Sequence, residues 1–170
     1  MKKIVTIVVV AVGLVTAAGN QVKAQTKIGY ISLNELIASM PESKKADTLY
    51  SDFQSALSQQ YDDYNKELRE QDSVLQSKDT VKFTKAQLEV KRRAFNELYI
   101  KVQGFQQQAS QQLQQKQQEL LAPIQKKAVD AAQTVAKENG YTYVFVKDVL
   151  ISYPPADDLM PLVKKKLGIK

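Results

Sequence analysis

From Ile4 to Val15 the chain is almost continuously apolar, with Lys2 and Lys3 before the run and the small-x-small triplet Val22-Lys23-Ala24 after it. That arrangement predicts a secretory signal peptide, residues 1–24, removed after Ala24. An uncleaved membrane anchor is the competing interpretation. However, the run is shorter than the ~20 residues a spanning helix needs, and Gly19, Asn20, Gln21 and Lys23 follow it directly. No cysteine follows the cleavage site, which closes the lipoprotein route, and no second apolar run appears. The mature chain, 25–170, is expected to be one soluble domain outside the cytoplasm.

Beyond the leader the apolar positions thin out and become periodic. Lys27 to Ser32 reads as a short strand, with Ile28 and Tyr30 on one face and Ile31 on the other. Ser32-Leu33-Asn34-Glu35 has capping-box spacing and predicts a short helix from Leu33 to about Met40. Pro41 cannot continue that helix but suits the first position of a new one. From Glu42 to about Gln76 there is neither glycine nor proline. Ala46, Tyr50, Phe53, Leu57, Tyr61, Tyr64, Leu68 and Leu75 fall at steps that form one stripe on a long helix.

Ser77-Lys78-Asp79-Thr80 is a polar break, with Asp79 or Thr80 as candidate N-cap. A second helix is predicted from about Val81 to Asn139. Its stripe contains Leu88, Phe95, Leu98, Val102, Phe105, Ala109, Leu113, Leu120, Ile124, Ala128, Ala131 and Val135. Asn139-Gly140 suits a left-handed C-terminal cap. Folding the chain between Asp79 and Thr80 sets Ala46 against Leu113, Tyr50 against Ala109, Leu57 against Val102, Tyr61 against Leu98 and Tyr64 against Phe95, with Phe53 near Phe105.

The two stripes therefore predict an antiparallel coiled-coil hairpin, an arm roughly 50 Å long. An ordinary bundle would need a further turn signal, and none lies within either helix. The stripe is thin, and from Gln103 to Gln118 ten of sixteen positions are glutamine. Phe105, Ala109 and Leu113 keep helical spacing through that tract, which favours a wetted helix over disorder. Lys91 falls opposite Leu68, so the tip, near 77–80, is expected to be the softer end. Pro123 lies inside the second helix, where it removes a hydrogen bond and predicts a kink close to the arm's base. Whether it is a hinge or a fixed bend stays open.

After Gly140 the period becomes two. Tyr141–Lys147 and Val149–Tyr153, joined at Asp148, read as two further strands. Pro154-Pro155 ends them, Asp157 or Asp158 caps a last helix, and Leu159, Leu162, Val163 and Leu167 are expected to face the sheet. The body, residues 26–42 and 139–170, is too small to be secure alone, and its strands have open edges. Ile28, Tyr30, Ile31, Tyr143, Phe145, Val149 and Ile151 are the candidates for a self-association core. Closed cyclic symmetry would satisfy them, although packing arguments do not select the number of copies.

Taken together, these elements resemble the Skp/OmpH family of periplasmic chaperones over the whole mature chain, most specifically at Lys27 to Pro41 and Gly140 to Gly168. The resemblance implies an α+β fold and a homotrimer: a small β-sheet trimerisation body with one long helical hairpin, or tentacle, per subunit. It also implies a cavity between arms 43–138 that holds unfolded outer-membrane proteins without ATP. Client contacts would be diffuse along the inner arm faces. A basic cluster associated with lipopolysaccharide in some members does not carry over. The corresponding stretch, Gln106 to Gln112, is uncharged, and Lys91, Arg92 and Arg93 lie nearer the tip. This triplet reads as a solvated helix face.

Composition narrows the function further. Removing the leader takes Lys2, Lys3 and Lys23 with it, so the formal charge falls from +6 to +3. That modest excess argues against nucleic-acid binding and leaves room for a weak contact with a membrane surface. The absence of histidine and cysteine removes the commonest metal ligands, imidazole bases and thiol nucleophiles. No phosphate-cradling glycine motif is present. Asp62-Asp63 and Asp157-Asp158 read as surface charge and capping, so neither an enzyme nor a cofactor is expected. The competing function is a structural spacer or adaptor of the cell envelope.

Overall fold

A computed structural model describes residues 26–169, so the expected signal peptide lies outside the described residues. Strand β1 (Ile28–Ile31) leads into helix α1 (Leu33–Ser39). The Ser32 hydroxyl accepts from the Glu35 amide at 3.3 Å, the capping interaction its spacing predicts. Glu35 does not reach back in this case; its carboxylate takes the Lys147 ammonium at 3.2 Å. Met40 is extended at ψ 135° because Pro41 follows, and Pro41 opens helix α2 (Pro41–Gln76) in its first turn.

The tip differs from expectation. A 3-10 segment at Lys78–Lys82 precedes helix α3 (Lys85–Glu138), so the second long helix begins four residues later than Val81. Its N-cap is Thr84, not Asp79 or Thr80. Thr84 and Gln87 form a reciprocal capping box, which satisfies two amides at once, and no comparable pair is available at the earlier positions. Helix α3 passes through Pro123 and stops at Asn139. Gly140 takes the left-handed conformation at φ 72°, and the Tyr141 amide donates back to the Ala136 carbonyl at 2.9 Å.

Strand β2 (Tyr143–Val146) pairs in parallel with β1, Ile28 beside Tyr143 and Ile31 beside Val146. Parallel neighbours require a crossover, and here that crossover contains both long helices. The predicted strand Val149–Tyr153 does not form. Lys147–Val149 is a 3-10 turn, and the sheet has two strands. The other edge of β1 is occupied near its end by an isolated bridge between Tyr30 and Asp158, with the Leu159 amide donating to the Tyr30 carbonyl at 2.9 Å. The outer edge of β2 is left unpaired, and residues 149–153 do not add to it.

A second 3-10 turn (Pro155–Asp157) leads to helix α4 (Met160–Leu167). Asp158 accepts from the Met160 amide at 2.8 Å, as a cap would, although the helix begins from Leu159. Leu159 and Val163 are fully buried, whereas Leu162 points outward, contrary to expectation. The core joins Ile31, Leu36, Met40, Leu159 and Val163 to Ile124, Ala128, Ala131, Ala132, Val135 and Ala136 of α3. The last turns of α3 therefore belong to the base as well as to the arm. Their alanines let β1, α1 and α4 approach the helix closely.

Candidate interaction surfaces

At the base, the seven residues expected to form a self-association core divide into two groups. Ile28, Tyr143, Phe145, Val149 and Ile151 are exposed; Val149 retains 71 % of its accessible surface and Ile151 105 %. Tyr30 and Ile31 instead lie inside the chain's own core. Tyr153 folds back over Tyr30 with ring centroids 4.6 Å apart, so the segment expected to be a strand serves as a cover. This burial raises the Tyr30 phenol above its ordinary pKa, and the Asp158 carboxylate adds to the effect.

Beside the exposed group, β2 and the end of α3 enclose an apolar groove of about 330 Å³, lined by Ile31, Leu33, Ala132, Ala136, Val144 and Val146 among others. Sequence reasoning missed this groove. The alternation Tyr141 to Val146 and the alanine steps of α3 both pointed to it, but only their juxtaposition makes a concave surface. The groove and the exposed apolar residues of β2 beside it are characteristic of a protein–protein contact surface.

Along the arm, α2 and α3 run in opposite senses and share a seam. Leu57, Leu98 and Phe105 are buried. Tyr50, Phe53, Tyr61, Tyr64, Phe95, Val102 and Ala109 are half-buried. The pairing differs from the expected register. Phe105 sits 5.7 Å from both Tyr61 and Tyr64, centroid to centroid, so Tyr61 faces a residue seven positions beyond Leu98. Tyr64 meets the same Phe105 ten positions beyond its expected partner Phe95, so the slip is seven to ten residues, about two to three helical turns, which returns the stripe to nearly the same face and is not distinguished by periodicity alone. Lysines close the seam edges: Lys101 lies over Tyr64 at 4.0 Å and Lys116 over Phe53 at 6.0 Å.

Where arm meets base, Pro123 is exposed on the surface of α3, next to the buried Ile124. Lys127, one turn on, pairs with Glu42 of α2's first turn. The Lys127 hydrogen bond, then Glu42's own backbone amide, hold the Glu42 carboxyl below its ordinary pKa. Lys147 is raised in turn by its bond to Glu35. Lys166 of α4 reaches Glu138 of α3 at 2.6 Å. These exposed pairs orient the elements more than they stabilise them. Among the described residues no three acidic side chains converge as a metal site, and no helix is long and apolar enough to cross a membrane.

Comparison with known proteins places this arrangement. No curated protein matches the chain. A solved structure from Caulobacter crescentus, described as a candidate outer membrane chaperone (OmpH-like), superimposes with a TM-score of 0.69 over 88 % of both chains at 14 % identity. At that identity the likeness concerns the fold. The family model "Outer membrane protein (OmpH-like)" matches residues 27–167, nearly all that the structure describes. On that match, the chain belongs to the OmpH-like family.

Proposed function

We propose that this protein is a holding chaperone that works without ATP, keeping unfolded outer-membrane proteins from aggregating in the periplasm after export and removal of residues 1–24. The observation that carries this reading is the family match over residues 27–167, combined with exposed apolar residues at the base and a two-helix arm. Three copies would bring their exposed Ile28, Tyr143, Phe145, Val149 and Ile151 together and enclose a space between the arms. Residues 149–153 and the unpaired outer edge of β2 would then be free to pair with a neighbouring subunit.

The mechanism is containment by many weak contacts. Away from the seam the arm presents amides and lysines, with Tyr99 and Ile100 exposed among them. Such walls hold a chain by summed contacts and without a deep apolar pocket. Release requires no fuel, because a client that folds into its membrane buries the segments the arms were touching.

The test dilutes a denatured outer-membrane barrel protein with and without the mature chain and follows light scattering, alongside a mass measurement. Suppressed scattering by a species of three times the monomer mass is expected. Unchanged scattering together with stoichiometric binding to a folded envelope protein would identify a spacer or adaptor instead. Capture that weakens as salt rises would support the charged component of the walls.

A further inference from the structure

The middle of the arm carries a row of side chains that neither the seam nor the base uses. Gln103, Gln107, Gln111, Gln114 and Gln118 of α3 recur at steps of three and four, so they share one face of the helix, and all are exposed. Phe105 and Ala109, which belong to the seam, lie on the other side of the same turns. From Val102 to Gln118 no charged side chain is exposed. Lys116, the single ion in that stretch, is half-buried over the Phe53 ring.

These amides differ from those of α2. Gln59, Gln60 and Gln71 each donate to a side chain one turn away, Asp63, Tyr64 and Glu67, at 3.0, 2.9 and 3.0 Å. The row on α3 has no carboxylate within one turn of any member. Among the described residues, none of its side chains hydrogen-bonds to the rest of the chain. Each therefore keeps both a donor and an acceptor for an outside partner.

An extended polypeptide answers that combination, because its main-chain N–H and C=O groups carry no charge and recur along one edge about every 6.7 Å. The row repeats about every 5–6 Å and runs for about 22 Å, the length of about seven extended residues. We propose that it grips the main chain of uncharged, extended stretches in an unfolded polypeptide, whatever their side chains. An ionic ligand would find no counter-charge on this face. A lipid would find no large apolar side chain exposed between Val102 and Gln118. A sugar or nucleobase would find no free ring, because Phe105, the single aromatic of that stretch, is buried against Tyr61 and Tyr64. The inference rests on the holding activity proposed above and gives it a second chemistry: capture by the row survives the salt that screens the lysine contacts.

The probe is an uncharged peptide of alternating valine, threonine and serine, labelled for fluorescence anisotropy, beside a twin whose backbone nitrogens are methylated and so lack N–H donors. The mature chain should bind the peptide with an affinity that added salt leaves unchanged, and should bind the twin more weakly. The combined Gln107→Ala, Gln111→Ala and Gln114→Ala variant should bind the peptide about tenfold more weakly than its parent, since several hydrogen bonds of small net value are lost. Alanine favours the helix, and circular dichroism confirms that the variant folds. Toward the methylated twin, variant and parent should be equal. No binding by the parent, a variant that holds the peptide as tightly, or a twin bound as tightly as the peptide overturns the inference. So does displacement of the peptide by a neutral oligosaccharide, or a variant whose assembly mass falls, which would assign the row to contact between copies. Light scattering with the parent reads the holding activity separately: suppressed aggregation beside a failed peptide assay leaves that activity standing and removes only the amide row.

Discussion

Gly29 shows how one atom can decide the packing of the base. A Cβ built there would lie 2.3 Å from Leu159 Cδ1 and 2.7 Å from the Tyr141 ring. Leu159 is fully buried, so its side chain has little room to give way. Gly29→Ala should therefore destabilise the protein by about 1–3 kcal/mol in urea unfolding. Glu42 makes a different prediction. Its carboxyl is depressed by Lys127, so the pair's small contribution is present above the unfolded pKa of Glu42 and is lost as pH falls through its folded value. Lys127→Met should move the Glu42 titration upward, as followed by carboxyl carbon chemical shift. Lys147 has the opposite sign: its contribution, owed to the ionised Glu35, is present below the unfolded pKa of Lys147 and is lost as pH rises through its raised folded pKa. Ser32 was legible as a cap because its partner is three residues away. The role of Gly29 was not, because Leu159 and Tyr141 reach it from distant parts of the chain.

The two long helices were legible from their stripes, and their ends from Pro41 and Gly140, since periodicity and capping are local properties. Their mutual register was not. Packing one stripe on another leaves solutions two to three helical turns apart that bury similar side chains, about 10–15 Å of sliding along the axis. The later start of α3 at Lys85 and the Glu42–Lys127 pair belong to the observed solution. A cross-link separates the alternatives, and the chain has no native cysteine to interfere. The pair Tyr61→Cys with Phe105→Cys should oxidise readily, whereas Tyr61→Cys with Leu98→Cys should remain reduced. The reverse result would restore the register expected from periodicity. Pro123 belongs to the same argument. Helix α3 runs through it, and the following turn carries Lys127, paired with Glu42 of α2.

The isolated chain leaves its base incompletely covered. Tyr143, Val149 and Ile151 face water, and the groove beside β2 is open. In a single chain Ile151 touches little, so Ile151→Asp should change monomer stability by no more than about 0.5 kcal/mol. In an assembly that uses this face, the same substitution buries an unpaired charge and should dissociate it. Sedimentation of Ile151→Asp beside the parent checks this: dissociation with native circular dichroism is expected, and an unchanged oligomer would remove Ile151 from the contact.

Local chemistry was enough to set where the first two helices begin, where the second long helix stops, and the apolar stripe of each long helix. Each of those outcomes is decided within one or two helical turns, by a cap, a proline, a glycine or a repeat of three and four. Only the folded molecule decided which heptad meets which, that Tyr30 is covered by Tyr153, and that residues 149–153 remain unpaired while β1 accepts Asp158 and Leu159. Those outcomes depend on competition between partners far apart in sequence, such as Tyr61 with Phe105 and Tyr30 with Asp158. Several pairings satisfy the same local pattern, and close packing around the alanines of α3 selects one.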